Sequence, residues 1–462
     1  MNNSNLVYGV KDRPGAWKTL VFAFQQVLAI LAATIAVPAI VGNGMSQSAA
    51  LFGAGIGTIV YLLFTKFKSP VFLGSSFAFI GSMCAAFGGA VSASAGYLGL
   101  IIGAVMAGLV YIVIAIIIKF VGVNWINKLM PAAVIGPTVA VIGLSLSSNA
   151  IKDAVMRVTY DAGASAYIMN VNSVLGLICA LITLATVIVC SVYGKKLPKM
   201  IPFIIGIGAG YVAATLFTVF GYHIGNDPRF LLVDFTPFLN MDWLPDFSFI
   251  TAFSGNYNFG DFGSFGAYLL SLFVAYMPVA FVVFAEHLAD HKNISSIIGT
   301  DLTKDPGLHR TLLGDGVGSI AGAFFGGCPN TTYGESVGCV AISGNASIVT
   351  ILTAAIICLL ASFFAPFVTF LATIPACVMG GVCVSLYGFI AVSGLKMVQK
   401  VDLNDNRNLF TVSVILIAGV GGMSLQFFKI KITAVACALI LGILVNLLGS
   451  IGKKKEDKSE EK

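Results

Sequence analysis

Long apolar runs separated by short polar segments dominate the chain from residue 17 to residue 451. Residues 98–118, 171–192 and 348–370 each match the roughly 20 apolar residues that a bilayer-spanning helix needs. The pattern predicts an all-α polytopic membrane protein with fourteen transmembrane segments, of which the third, ninth and tenth are weakly apolar. The predicted spans are 17–37, 47–64, 70–88, 97–119, 130–150, 171–192, 200–221, 264–287, 310–326, 329–345, 347–369, 374–394, 409–425 and 432–451.

The composition excludes a soluble globular protein. The chain of 462 residues is 58% hydrophobic and 10% charged, with a mean hydropathy of +0.95, whereas soluble domains carry about 25% charged residues. The polar first 18 residues are not followed by a short apolar core with a small-residue cleavage site, which argues against a removable signal peptide. The net charge of +6 is modest and does not indicate a nucleic-acid partner.

Lys and Arg are unevenly divided between alternate loops. If both termini are cytoplasmic, 21 of the 26 Lys and Arg residues lie in inside loops and termini, and 5 lie outside. Short cytoplasmic loops carry such an excess, so the asymmetry supports this orientation and the count of fourteen. Residues 223–263 are then an extracellular loop, and residues 452–462, where Lys alternates with Asp and Glu, are predicted to be a disordered cytoplasmic tail.

Neither the cysteines nor the histidines are spaced as metal ligands. The nine cysteines are scattered, mostly in apolar segments without a CxxC pair, as expected of small core residues. His287, His291 and His309 fall in one region that is predicted to be a loop, without the spacing of a zinc site. We therefore expect no metal and no bound cofactor.

The two halves of the chain resemble each other in three places, in the same order. Residues 130–136 match 374–380, residues 74–79 match 330–335, and residues 24–29 match 284–289, at offsets of 244, 256 and 260 residues. A repeated unit of seven spans is odd-numbered, so its second copy enters the membrane from the opposite side. The matches predict two inverted repeats, an architecture of many secondary carriers.

The weakly apolar tenth segment is rich in glycines and hydroxyls and contains Pro329 and Glu335. An unbroken helix is not expected there, and free backbone groups at membrane depth occur only inside protein or beside a cavity. The repeat pairs it with the third segment, around Pro70 and Gly74. Such paired broken segments indicate a transporter's binding site, and these two could pair as short strands before becoming helical.

Carboxylates at membrane depth are candidates for function. Three of the five Glu residues lie in the tail, and the others are Glu335 and Glu286. Neighbouring hydroxyls at an interface would also explain Glu335, and an ordinary helix end would explain Glu286, although the repeat places Glu286 opposite the intramembrane Gln26. Asp290 lies one helical turn after Glu286. If the helix extends that far, the two like charges favour a proton acceptor.

No Lys or Arg accompanies these carboxylates within the spans, so the site should reject anions. It suits a neutral molecule with N–H donors, or a cation, and a protonatable Glu allows proton coupling. Free backbone N–H groups near Phe77 and Gly334 could donate to substrate carbonyls. Phe77, Tyr333 and Tyr387 could pack around a planar ring, with ordinary core packing as the alternative.

The motif from Pro329 to Glu335, Pro-Asn-Thr-Thr-Tyr-Gly-Glu, together with residues 74–79, 284–288 and 305–310, resembles the bacterial uracil permeases. These belong to the nucleobase–ascorbate transporter family of cation-coupled symporters, and the resemblance covers essentially the whole chain. It implies fourteen spans divided into a core domain, 19–129 and 264–370, and a gate domain, 130–222 and 371–451. It also implies homodimers in the bacterial cell membrane.

By matching position, the resemblance implies that Glu286 and Glu335 bind the pyrimidine and that Glu286 couples to the proton. It also implies that the backbone at Phe77 and Gly334 holds the substrate carbonyls, and that Tyr333 and Tyr387 line the site. This chain departs from the family pattern in the network around these groups. The departures are Ser336 for an Asn, Gln26 for a His, and Asp290 for the His of some uracil carriers.

The leading hypothesis is proton-coupled uptake of uracil by alternating access. A xanthine or other purine carrier is the alternative within the same class, and a passive channel is the alternative from another class. An anion carrier shares this repeat architecture, but two carboxylates without an intramembrane cation argue against it. An enzyme would need a nucleophile–base pair or a metal constellation, and the sequence contains neither.

Overall fold

The computed structural model describes residues 6–88, 91–122, 124–155, 160–161, 163, 166–167, 169–195, 197–427 and 430–460. These residues form nineteen α-helices and six short strands. The helices are α1 Ala16–Val41, α2 Gln47–Phe64, α3 Ile80–Ala86, α4 Ala93–Val121, α5 Asn124–Leu129, α6 Ala132–Ser145, α7 Ser147–Ala154, α8 Val171–Tyr193, α9 Leu197–Met200, α10 Pro202–Phe217, α11 Ser248–Ala252, α12 Phe265–Ile298, α13 Leu308–Gly326, α14 Gly334–Ser343, α15 Ile348–Ala361, α16 Ala365–Ala372, α17 Ala376–Val398, α18 Asn406–Val420 and α19 Ala434–Glu460. The strands are β1 Leu73–Ser75, β2 Tyr160–Asp161, β3 Ala166–Tyr167, β4 Asn330–Thr332, β5 Leu425–Phe427 and β6 Ile430–Ile432.

The prediction of a multi-pass helical membrane protein is confirmed. Within the described residues, nine helices are long and apolar enough to cross a membrane, or ten if α15 and α16, which meet at 82°, form one bent span. Helices α3, α13, α14 and α18 are shorter or less apolar, so the count of fourteen stays a prediction.

Two helices extend beyond the segments in which they were predicted. Helix α12, which contains the eighth predicted span, continues past residue 287 to Ile298 and ends before Gly299, which adopts the left-handed φ of 69°. His287 and His291 therefore lie in a helix, as does His309 in the first turn of α13, and not in a loop. The tail predicted to be disordered from residue 452 is helical to Glu460, since residues 453–460 contain neither Gly nor Pro. Residues 223–263, predicted to be an extracellular loop, contain α11 and short 3₁₀ turns.

Glycines let the central helices approach closely. Where α2 crosses α13, a Cβ added at Gly53 would lie 2.6 Å from the carbonyl oxygen of Gly322, and one at Gly57 would lie 2.8 Å from that of Gly318. Small residues permit such backbone contact between membrane helices. This packing leaves room beside the crossing for Asn330, whose Nδ2 donates a hydrogen bond of 2.8 Å to the Gly53 carbonyl.

The third and tenth segments are broken, and they meet as two short strands, as the sequence suggested. Strands β1 and β4 pair antiparallel, with Gly74 opposite Thr331. The hydroxyl of Tyr333 donates to the Ser75 carbonyl at 2.7 Å, which ties the end of one strand to the other. Each strand leads into a helix, β1 through a 3₁₀ turn beginning at Phe77 and β4 into α14. Two helix N-termini therefore lie close to the strand pair.

Candidate functional site

A narrow cavity of about 50 Å³ lies beside the strand pair, with room for a few water molecules. One wall comes from residues 77–78, β4 and the first turn of α14, with Glu286 from α12. The opposite wall is apolar and comes from α6 and α17. The lining residues are Phe77, Ala78, Val139, Ile142, Glu286, Thr331, Tyr333, Glu335, Leu386 and Ile390. Four of the predicted site residues, Phe77, Glu286, Tyr333 and Glu335, therefore meet in one place.

A wider pocket of about 380 Å³ adjoins the narrow cavity and shares both glutamates with it. It adds two more predicted residues, Asp290 and Gly334. Its lining includes Lys199 from α9, so a cation that lies outside the predicted spans does face this space. Both glutamates thus lie at the junction of two adjoining spaces.

Asp290 is held between two elements of the site. Since α12 is continuous, it shares a face with Glu286 one turn away. The Thr332 hydroxyl donates to Asp290 Oδ2 at 2.9 Å, and a Cβ added at Gly334 would lie 3.7 Å from Oδ1. The helix therefore extends to Asp290, as a proton acceptor formed by Glu286 and Asp290 requires.

Tyr387 and Gln26 lie behind the lining. The Tyr387 ring packs edge-on against Phe77, with the ring centroids 5.8 Å apart, and its side chain is buried. Gln26 of α1 is also buried, and its Nε2 donates to the Ser336 hydroxyl and to the Ser336 carbonyl. That hydroxyl also accepts from the backbone N–H of Phe72 at 3.0 Å. Gln26 and Ser336 thus occupy the positions of two family departures and contact each other directly beside Glu335.

We expect Ser336→Ala to destabilise the protein and raise the KM for transport more than Gln26→Leu does. Alanine leaves the buried Phe72 N–H without this acceptor, which costs about 1–3 kcal/mol, and it removes one of the two acceptors of Gln26 Nε2. Leucine removes one donor and leaves the Phe72 bond intact. Thermal unfolding in detergent and initial uptake rates check the order. Ser450→Ala is the control, because the Ser450 hydroxyl donates to the Asn446 carbonyl of its own helix, α19. Equal stability of Ser336→Ala and the control would contradict the expectation.

A buried polar network behind Glu286 was not predicted. His287 Nδ1 lies 2.7 Å from Asp315 Oδ2 of α13, and His287 Nε2 lies 3.0 Å from the Thr311 hydroxyl. His291 Nε2 lies 2.6 Å from the Tyr61 hydroxyl, and the two histidine rings stack at 4.0 Å. The available signals were the four-residue spacing of the histidines and one carboxylate, Asp315, within a predicted span. The network fixes the α12 turn that carries Glu286.

A family model with the description "Permease family" matches residues 17–428 of this chain. A uracil permease of Bacillus subtilis (strain 168) is 37% identical over 466 residues, which cover 100% of this chain and 99% of that protein. A uracil permease of Escherichia coli (strain K12) is 32% identical over 449 residues, covering 95% of this chain and 93% of that protein. A putative pyrimidine permease of the same strain is 30% identical over 436 residues, covering 93% and 89%.

Two solved structures share the fold. The transmembrane domain of a cyanobacterial bicarbonate transporter, BicA, superimposes with a TM-score of 0.58 at 16% identity, covering 96% of this chain and 99% of that one. The murine anion transporter Slc26a9 in its inward-facing state gives a TM-score of 0.67 at 12% identity, covering 96% and 69%. At these identities the likeness concerns the fold alone.

Proposed function

This chain belongs to the permease family, whose members are membrane transporters and not enzymes, and we propose that it takes up uracil by proton symport. The observation that carries the proposal is the 37% identity to a uracil permease over the full length, joined to two glutamates that line one cavity. Uracil is neutral and planar and offers both N–H donors and carbonyl acceptors, which matches this set of groups.

We place the pyrimidine where the narrow cavity meets the wider pocket, because the cavity alone is too small for the ring. Glu286 and Glu335 accept its N–H groups there. The backbone N–H groups of Phe77 and Gly334 donate to its carbonyls, since first-turn N–H groups have no partner inside their helix. Phe77 and Tyr333 contact the ring, and Tyr387 supports Phe77.

In this proposal, Glu286 binds the coupled proton together with Asp290. Two carboxylates one turn apart on a buried helix face favour a bound proton, because like charges close together cannot both ionise cheaply. Gln26 acts through Ser336 on the residue next to Glu335. A bound proton neutralises one of the two carboxylates, so the neutral pyrimidine can be buried beside them at a lower cost in free energy. Binding of the proton and binding of uracil are therefore linked.

The alternating-access part of the proposal is supported by the two walls of the site. Helices α12 and α14 form the carboxylate wall within the predicted core domain, and α6 and α17 form the apolar wall within the predicted gate domain. Helices α6 and α17 both begin directly after a proline of the repeated motif, Pro131 and Pro375. These correspondences support two inverted repeats and fourteen spans. The proposal also includes cytoplasmic termini and a homodimer in the bacterial plasma membrane.

Competition distinguishes uracil from the purine alternative. Vesicles that contain the purified protein are expected to take up radiolabelled uracil, and unlabelled uracil should block this uptake while xanthine in equal excess should not. Uptake of xanthine with no uptake of uracil would reassign the substrate and leave the fold and the site in place.

We expect Thr331→Val to weaken uracil binding about two- to tenfold, the range that corresponds to one net hydrogen bond. The Thr331 side chain lines the narrow cavity, and its hydroxyl is buried without a hydrogen-bond partner among the described residues. Ser76→Ala is the matched control, since its hydroxyl is equally unpaired but does not line the cavity. Titration of the purified protein with uracil measures the change. Unchanged affinity of Thr331→Val would show that uracil does not use this hydroxyl.

A further inference from the structure

A third pocket, of about 580 Å³, opens between α6, α12 and the end of α17. Its apolar part is formed by side chains such as Met130, Ile135 and Leu288. Its polar part contains Lys292, Lys396 and Lys400, and no described residue that lines the pocket is Asp or Glu. The pocket therefore combines an apolar surface with three cations.

The ammonium groups of the three lysines lie apart from the ion pairs of the described residues. Lys292, Lys396 and Lys400 are exposed, and none forms an ion pair within 4.0 Å in the part of the chain that the structure describes. Two other lysines assigned to the same side of the membrane do have ion pairs, Lys68 with Asp305 at 2.5 Å and Lys304 with Asp301 at 3.6 Å. Since all three lysines line one concave surface, their like charges raise the local concentration of anions there.

The excess of Lys on cytoplasmic loops explains why lysines are present at this end. It does not explain why lysines from two separate helices, α12 and α17, border one pocket that lacks a carboxylate. Uracil is neutral, so its recognition does not need them either. Phosphate oxygens are the natural partners of several ammonium groups that converge on one pocket.

We propose that this pocket binds a phosphate group, carried either by a soluble phosphate ester or by an anionic lipid. The three lysines hold the phosphate, and the apolar surface around Met130 and Leu288 contacts the body of the ligand. Asn293, which also lines the pocket, supplies an amide donor.

The bound ligand lies across the route to the carboxylates. The phosphate pocket and the wider substrate pocket share the lining residues Ala289, Asn293, Ser393 and Met397. An occupant between α12 and α17 therefore hinders any movement that closes this end and obstructs exchange with the substrate pocket. This effect on transport rests on the proposed function, whereas the binding itself does not.

The test uses the purified full-length protein and two triple variants of equal charge change. The pocket variant is Lys292→Gln, Lys396→Gln, Lys400→Gln. The control variant is Lys11→Gln, Lys66→Gln, Lys119→Gln, whose positions lie outside the three pockets described above. One arm titrates uridine monophosphate against uridine in detergent. The other compares thermal unfolding in nanodiscs of phosphatidylglycerol with that in phosphatidylcholine.

If the ligand is soluble, we expect uridine monophosphate to bind more tightly than uridine. The pocket variant should then lose about tenfold or more of the affinity for uridine monophosphate, and the control variant should keep it. A lipid ligand predicts that phosphatidylglycerol stabilises the wild type and the control variant but not the pocket variant. Either pattern supports the phosphate site and identifies its source. Identical behaviour of the two variants in both arms overturns it. If the protein binds the phosphate but does not transport uracil, the phosphate site is supported and the proposed function is refuted.

Discussion

Glu335→Gln and Glu286→Gln are each expected to lower the accumulation of uracil strongly and to weaken uracil binding about 10- to 100-fold. Each glutamine keeps the size of the side chain but replaces a carboxylate acceptor by a neutral amide, and hydrogen bonds to charged groups contribute about 1.5–3 kcal/mol. Both glutamates line the junction of the two spaces in which we place the pyrimidine. Radiolabelled uptake and uracil titration of the purified variants measure the two effects.

The two variants should differ in one respect. Glu286→Gln removes the proposed proton acceptor, so any residual uracil movement should no longer respond to an imposed pH gradient, whereas residual movement in Glu335→Gln should still respond. Asp261→Asn is the matched control, because Asp261 is an exposed acid that lines neither of these two spaces. Full accumulation in both glutamine variants would remove the assigned site, even if the protein transports uracil.

Asp315→Ala is expected to have the largest effect on stability. The Asp315 carboxylate and the His287 ring are both fully buried, and they contact each other at 2.7 Å. Alanine leaves the buried His287 Nδ1 without its hydrogen-bond partner, which costs about 1–3 kcal/mol, and it also leaves a cavity where the carboxyl group was. The loss also releases α12 from α13 beside Glu286. Thermal unfolding in detergent and the fraction of monodisperse protein measure it.

Two further variants distinguish the loss of the His287–Asp315 contact from a general effect of mutation. Asp315→Asn keeps an oxygen that can accept from His287, so it should recover much of the lost stability. Asp402→Ala, at an exposed turn, should change the unfolding temperature little. Stability of Asp315→Ala equal to that of the wild type would show that the pair does not hold these helices together.

The broken segments and their carboxylate were predictable from local sequence. Pro329 and the neighbouring glycines argue against a continuous helix, and Glu335 is costly at membrane depth unless it has a function. The repeat then identified residues 74–79 as the partner segment, and the pairing of β1 with β4 follows. Residue chemistry and spacing alone were enough for these predictions.

The length of α12 was not predictable in this way. Hydropathy treats His287, Asp290 and His291 as the polar end of a span, because it counts each residue as if it faced water or lipid. Their partners come from distant elements, such as Tyr61 of α2, which is 230 positions from His291. Only tertiary packing supplies these hydrogen bonds. They compensate the loss of hydration when the polar side chains are buried.

The surroundings of Glu335 show the same limit. The sequence identified Ser336 and Gln26 as departures from the family pattern, but not that they contact each other, since they are 310 positions apart. The structure shows that one hydroxyl accepts from both Gln26 and the backbone of Phe72. A small side chain at 336 is compatible with this close approach of α1, α14 and the residue that precedes β1.

The most direct test of proton-coupled uptake is radiolabelled uracil flux into proteoliposomes with an imposed inward proton gradient. We expect uracil to accumulate above its external concentration, and we expect a protonophore to collapse the accumulation to equilibrium. Uracil that only equilibrates, at the same rate with and without the gradient, would contradict symport and indicate a passive pathway through the same site.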